Sequence, residues 1–265
     1  MRKEQLKKFY EWFDKYVAGF YGDDDYVNAN IRLKEDHSRR VCEEMLYITG
    51  ELNLTANQNL TAEVIALFHD IGRFEQFTRY RTYSDHRSVD HSKLGLLVLR
   101  QEGILDGVEE NERRIIEKAI EYHNIKELPA GLDGDVLLQS QLIRDADKLD
   151  IYYIVSEYYK QYEQNPDGFK LEIELPNGPG YSKDVLQSVL DGRRIDYKQL
   201  RSWNDMKLCE LSWVYDVNFA VTLKKIQKAG FLEMIVGFLP RTDEIAAAAE
   251  AVRKYVEKRI AENDR

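Results

Sequence analysis

Cysteine, proline and long apolar runs are scarce in this sequence. Only two cysteines, Cys42 and Cys209, stand among 265 residues, which argues against a disulfide framework and a cysteine-built zinc site. Both read most simply as small apolar fillers. The five prolines and 15 glycines fall mostly at segment ends, so little interrupts helices. No apolar run approaches the ~20 residues of a membrane span. Met1-Arg2-Lys3-Glu4-Gln5 is too polar and mixed in charge to open a signal peptide, so a cytoplasmic location without a membrane partner is expected. Positive charge is outweighed as well: 38 Lys+Arg face 47 Asp+Glu, a net charge of -9, which disfavours a nucleic-acid polymer as partner. The phosphate loop GxxxxGK[ST], the dinucleotide fingerprint GxGxxG and the nucleophile elbow GxSxG are all missing.

What is present is helical periodicity. Leu6, Phe9, Phe13, Val17 and Phe20 recur at three- and four-residue steps and predict a helix from about Glu4 to Phe20. A second is expected from about Asn28 to Ile48, with Leu33, His37, Val41, Met45 and Ile48 on one face. A third, about Thr61 to Ile71, is apolar almost all round and reads as central, with Gly72 ending it. Arg73 to Asp90 then reads as a long polar loop, of a length that often carries function. Helices follow from Ser88 (as cap) through Arg100, from about Val108 to Tyr122 and from about Val136 to Gln161. Lys170 to Leu175 alternates like one short strand, with a turn after it. Three last helices are expected over about Lys183–Leu190, Asp205–Ala229 and Thr242–Ala261, the last facing solvent. The fold class is all-α, with room for one short strand or hairpin. A single domain is expected, with a core over about 28–160 and a helical extension over about 161–265.

All five histidines lie between His37 and His123. His37 is on the apolar stripe of the second helix. His69 and Asp70 close the third, His91 falls in line with Leu94 and Val98, and His123 ends the helix that carries Ile116. Asp147 stands four residues from both Ile143 and Ile151. Taken singly, each has an ordinary reading: a hydrogen-bonded core histidine, a polar helix end, or a histidine favoured by the helix dipole. Together they put imidazoles and carboxylates on inner faces, where buried polar groups need partners. A divalent cation satisfies several at once, and nitrogen and oxygen donors suit Mn, Fe, Co, Ni or Zn, with Mg at a more oxygen-rich position.

Phe68-His69-Asp70-Ile71-Gly72-Arg73 resembles the signature of the HD-domain metal-dependent phosphohydrolases. Ile143-Arg144-Asp145-Ala146-Asp147-Lys148-Leu149-Asp150 resembles that family's last ligand motif. The resemblance spans roughly residues 28 to 160 and implies a helical bundle with one or two divalent ions. It implies a first ion on His37, His69, Asp70 and Asp147, with Asp145 the rival for the last place. His91 and His123 match the extra ligands of two-metal members, with Asp70 bridging. The activity implied is hydrolysis of a small phosphorylated substrate, a nucleotide among the candidates.

Metal binding lowers the pKa of bound water from 15.7 to about 7, giving a nucleophile at neutral pH. Asp70, Arg73 and Lys148 are the candidate catalytic residues, and Arg73, His86 and Lys148 the candidate substrate contacts. Two other readings share the scaffold: a di-iron oxygenase and a non-catalytic nucleotide-sensing module. The half after Asp150 holds no histidine and many aromatics, whose helical spacing fits core packing or, less often, a pocket wall. The Lys170–Leu175 segment suits a flap or a homodimer contact.

Overall fold

The computed structural model describes residues 1–168, 171 and 175–263. Among them there are helices and short 310 turns but no strand. The expected strand at Lys170–Leu175 falls mostly outside the described residues.

Residues Met1–Asp150 and Ile151–Arg265 form two compact units. The first is built from α1 (Lys3–Ala18), α2 (Asp25–Glu51), α3 (Ala56–Phe68), α4 (Gly72–Tyr80), α5 (His91–Gln101) and α6 (Glu110–Tyr122). The long helix α7 (Gly134–Gln164) begins in the first unit and ends in the second. Helix α3 is at the centre: α1, α2 and α6 all pack against it, and Val64 through Phe68 are wholly buried. Phe9 and Trp12 meet Phe68 edge-on, at 5.6 and 5.7 Å between ring centroids. The all-round apolar segment is central because it has neighbours on every side. It starts earlier than its apolar run, since Thr55 and Gln58 form a reciprocal capping box.

Two expectations about the loop after Asp70 are corrected. Gly72 does not end a helix but starts α4, so the stretch from Arg73 to Asp90 is not all loop. Phe74 and Phe77 are buried three residues apart, an apolar stripe masked in sequence by the charges around it. Arg81, left-handed at φ 55°, closes the helix. Gly72 is needed for space: a Cβ there would lie 2.2 Å from the His91 carbonyl oxygen and 2.6 Å from Gly95 N. The cap of α5 is Asp90, which accepts from Ser92 N and Lys93 N. Ser88 instead donates to the Ser84 carbonyl and accepts from Gln76 Nε2.

The second unit holds α8 (Lys183–Leu190), α9 (Trp203–Ser212), α10 (Ala220–Ala229), α11 (Phe231–Gly237) and α12 (Asp243–Asn263). The single helix expected over Asp205–Ala229 is broken by a 310 turn, Trp213–Asp216. Ser212 Oγ donates to the Cys209 carbonyl at 2.6 Å, a local bond that competes with the helical ladder. Helix α11 had no counterpart among the expected elements. Helix α12 is not simply solvent-facing: Ile245, Ala248, Ala249, Val252 and Val256 are buried. Tyr152 lies in this core, stacked on Phe231 and edge-on to Trp213, with its hydroxyl donating to the Glu210 carbonyl. No helix is long and apolar enough to cross a membrane among the described residues.

Candidate metal centre

Four imidazoles converge in the first unit, and in each the Nδ1 atom is already engaged. His69 and His123 follow the last residues of α3 and α6, and each donates Nδ1–H back to the carbonyl three residues earlier, Ala66 at 2.8 Å and Ile120 at 2.7 Å. His37 Nδ1 meets Asp150 Oδ2 at 2.6 Å, and His91 Nδ1 meets Asp85 Oδ2 at 2.8 Å. Partners of this kind fix tautomer and ring orientation, leaving Nε2 as the free donor. All four Nε2 atoms face one carboxylate, that of Asp70.

Asp70 presents a different oxygen to each pair. Oδ2 lies 3.5 Å from His37 Nε2 and 3.8 Å from His69 Nε2, while those two nitrogens are 3.3 Å apart. Oδ1 lies 3.2 Å from His91 Nε2 and 3.7 Å from His123 Nε2, which are 3.0 Å apart. Donors bound about 2.1 Å from a common ion stand roughly 3.0 to 3.4 Å apart at octahedral or tetrahedral angles. Both triplets come close to that spacing, and both are wholly buried. Asp147 Oδ1 adds a donor to the first, 3.2 Å from His37 Nε2 and 3.8 Å from His69 Nε2. Its side chain is 19% exposed, so the centre reaches solvent there. Asp145 is fully buried and stands in neither triplet. Asp85, Asp90 and His91 also lie close together, but Asp90 caps α5 and Asp85 engages the far nitrogen of His91.

The electrostatics fit a cation site. Burial opposes charge on Asp70, yet Lys34, His69 and Arg73 hold its carboxyl well below the usual range. Asp147 is lowered too, its burial outweighed by His37 and His69. Burial pushes His69 down to about 3, keeping it a neutral donor. His37 is raised: burial and Lys34 oppose its protonation, but Asp147 and Asp150 outweigh them. By contrast, burial pushes the Cys42 and Cys209 thiols up to about 12, so neither offers a ready thiolate.

The remaining candidates from sequence are placed less simply. Arg73 Nη1 donates to Gln76 Oε1, the Tyr83 carbonyl and Asp85 Oδ1. Its Nε lies 3.4 Å from Asp70 Oδ1 without a hydrogen bond. Lys148 Nζ donates to the Arg144 carbonyl at 3.3 Å, and His86 is exposed on the 310 turn Asp85–Arg87. Sequence reasoning missed Lys34, Asp85, Asp150 and Arg40. Lys34 Nζ bonds Asp70 Oδ2 at 2.7 Å, and Arg40 Nε bonds Asp150 Oδ1 at 2.5 Å. Their spacing was a usable signal: Lys34 and Arg40 stand three residues either side of His37, and Asp150 three after Asp147, on the same helical faces.

A helical bundle that closes two imidazole pairs around a shared carboxylate defines a candidate dinuclear metal-binding protein. Residues 35–152 match the family described as HD domain, a span that includes all six donors. No curated protein and no solved structure matches the chain. Over those residues the chain is similar to an HD domain, a domain found in metal-dependent phosphohydrolases that bind divalent metals.

Proposed function

We propose that this protein hydrolyses a phosphoester of a nucleotide or another small phosphorylated metabolite, using divalent ions held by His37, His69, Asp70, His91, His123 and Asp147. The observation that carries this reading is Asp70, whose two oxygens address two separate imidazole pairs. Ions held there supply Lewis acidity, which makes water nucleophilic near neutral pH and polarises a phosphoryl group. The chain's own residues provide the frame. Asp70 and Asp147 present carboxylate oxygens, and the Nδ1 partners aim the four Nε2 atoms. The apolar residues of α3 exclude water from behind the centre. Arg73 holds Asp85 against His91 through Nη1, and its buried Nε lies 3.4 Å from Asp70 Oδ1. Lys148 and His86, the other substrate-side assignments, rest on their places next to Asp147 and Asp85.

The test is elemental analysis of gently purified protein, followed by a metal-supplemented screen of phosphorylated metabolites that reads phosphate release. Asp70→Ala should lose both metal and hydrolysis while keeping its helical circular dichroism. Full activity in metal-stripped Asp70→Ala would end the proposal. So would iron-loaded protein that consumes oxygen and releases no phosphate from any compound.

A further inference from the structure

Lys34 lies one helical turn before His37 on α2. Its ammonium is 2.7 Å from Asp70 Oδ2, the oxygen shared with His37 and His69. It also stands 5.4 Å from the centre of the Tyr83 ring, and the Arg73 guanidinium is 5.8 Å from the same centre. The Tyr83 hydroxyl donates to the Asn30 carbonyl at 2.8 Å, one turn before Lys34, which ties the ring to the helix that carries the lysine. One carboxylate and one ring thus hold two cations at the edge of the donor cluster. The side chains of Lys34 and Arg73 are each 16% exposed, so both are reachable from solvent.

The charges around the centre say what such cations are for. Asp70, Asp85 and Asp150 pair with Lys34, Arg73 and Arg40, and Asp147 lies against His37 and His69, a near balance without any ion. Divalent ions would turn that balance into a positive excess in a buried place, where uncompensated charge is costly. A group that brings about two negative charges, as a phosphate monoester does near neutral pH, restores it. Arg40 remains committed to Asp150 through two bonds. Lys34 differs, because among the described residues its acidic partner is the one carboxylate that the ions would neutralise.

We propose that Lys34 is a substrate-binding residue: paired with Asp70 when no ion is bound, its ammonium donates to an oxygen of a phosphate monoester group in the ion-loaded protein, steadied by the face of Tyr83. This deepens the hydrolase reading and rests on it. The competing account is that Lys34 only neutralises a buried carboxylate, and metal retention separates the two.

The experiment uses the full chain loaded with Mn2+, as wild type, Lys34→Gln and Lys34→Arg. Metal content is read by elemental analysis and inorganic phosphate affinity by calorimetry. Lys34→Gln should keep the wild-type metal content but bind phosphate at least about tenfold more weakly, the loss of one charge-assisted bond. Lys34→Arg should recover part of that loss. Against a hydrolysed phosphomonoester, KM should rise more than kcat falls. Three results would overturn the assignment: unchanged phosphate affinity in Lys34→Gln, loss of metal in Lys34→Gln, or loaded wild type that binds no phosphate. Lys34-dependent phosphate binding without hydrolysis of any phosphoester would retire the hydrolase reading and keep the lysine's role. Hydrolysis with Lys34-independent binding would do the reverse.

Discussion

Gly72→Ala links the packing of the first unit to its donor cluster. The added Cβ would sit 2.2 Å from the His91 carbonyl oxygen and 2.6 Å from Gly95 N. Both obstacles are backbone, so no rotamer change relieves them. Ordinary heavy-atom separations begin near 3.5 Å, so α4 and α5 must part by about 1 Å. Overpacking typically costs about 1–3 kcal/mol, and backbone on both sides places this case at or above the top of that range. For a protein of this size about 3 kcal/mol corresponds to a fall in Tm of roughly 6–12 °C. A second effect follows because the carbonyl that is hit belongs to His91. Its Nε2 stands 3.0 Å from His123 Nε2 and 3.2 Å from Asp70 Oδ1, and metal sites tolerate only about 0.2 Å of misplacement in each bond. If both donor triplets hold ions as proposed, the variant should therefore lose the one at His91 and His123 before the one at His37 and His69. Gly95→Ala is the control: its Cβ would meet Ile71 Cγ2 at 3.0 Å and Gly72 N at 3.1 Å, so a milder loss is expected. Thermal melts of metal-free protein and elemental analysis of loaded protein read the two effects separately. A Gly72→Ala protein melting within about 2 °C of wild type, less than 1 kcal/mol for this size, with its full metal content, would refute the close-approach argument.

Asp150→Asn and Asp85→Asn each remove the carboxylate behind one imidazole, and each should weaken one ion about 10–100-fold and spare the other; calorimetric titration with Mn2+ would show it, and equal loss at both sites would contradict it. Glu210 gives a pH dependence independent of the metal centre. Burial pushes its carboxyl up to about 8 against the lowering effects of Tyr159 and Lys207, so the folded protein retains a proton that the unfolded chain releases near the ordinary value of 4.5. Stability should fall as pH rises from about 4.5 to about 8. Glu210→Gln keeps an acceptor for the Tyr159 hydroxyl and should flatten that fall, gaining most at pH 8; parallel melting curves across the range would count against it. Saturating the protein with Mn2+ at about 100 times its Kd should add about 2.7 kcal/mol to the unfolding free energy, and a chelator should remove it.

Much of the donor set was legible because helix phase is legible. Once α2, α3, α6 and α7 are read as helices, an apolar face fixes which polar residues point inward, and His37, His69, Asp70, His123 and Asp147 all lie on such faces. Helix α4 was hidden for the same physical reason in reverse. Only Phe74 and Phe77 mark its buried side, and Arg73, Glu75, Gln76 and Arg79 mask two apolar residues in nine. The break after Ser212 was invisible because a hydroxyl bonding three residues back leaves no mark in periodicity.

Periodicity also fails where a role depends on the crossing of separate elements. Lys34 shares the second helix with His37 and looks, in sequence, like one more surface lysine. Its meaning comes from Asp70, 36 residues away, and from Tyr83, on the segment that α4 delivers beside it. Likewise, no pattern along the chain says which oxygen of Asp70 meets which imidazoles. That partition requires His91 and His123 to reach one side of the carboxylate while His37 and His69 reach the other. The close approach of Gly72 to the His91 carbonyl holds the start of α4 against the start of α5. A glycine read as the end of a helix is thus part of what brings His91 to Asp70, and so part of what sets two donor triplets rather than one around that carboxylate.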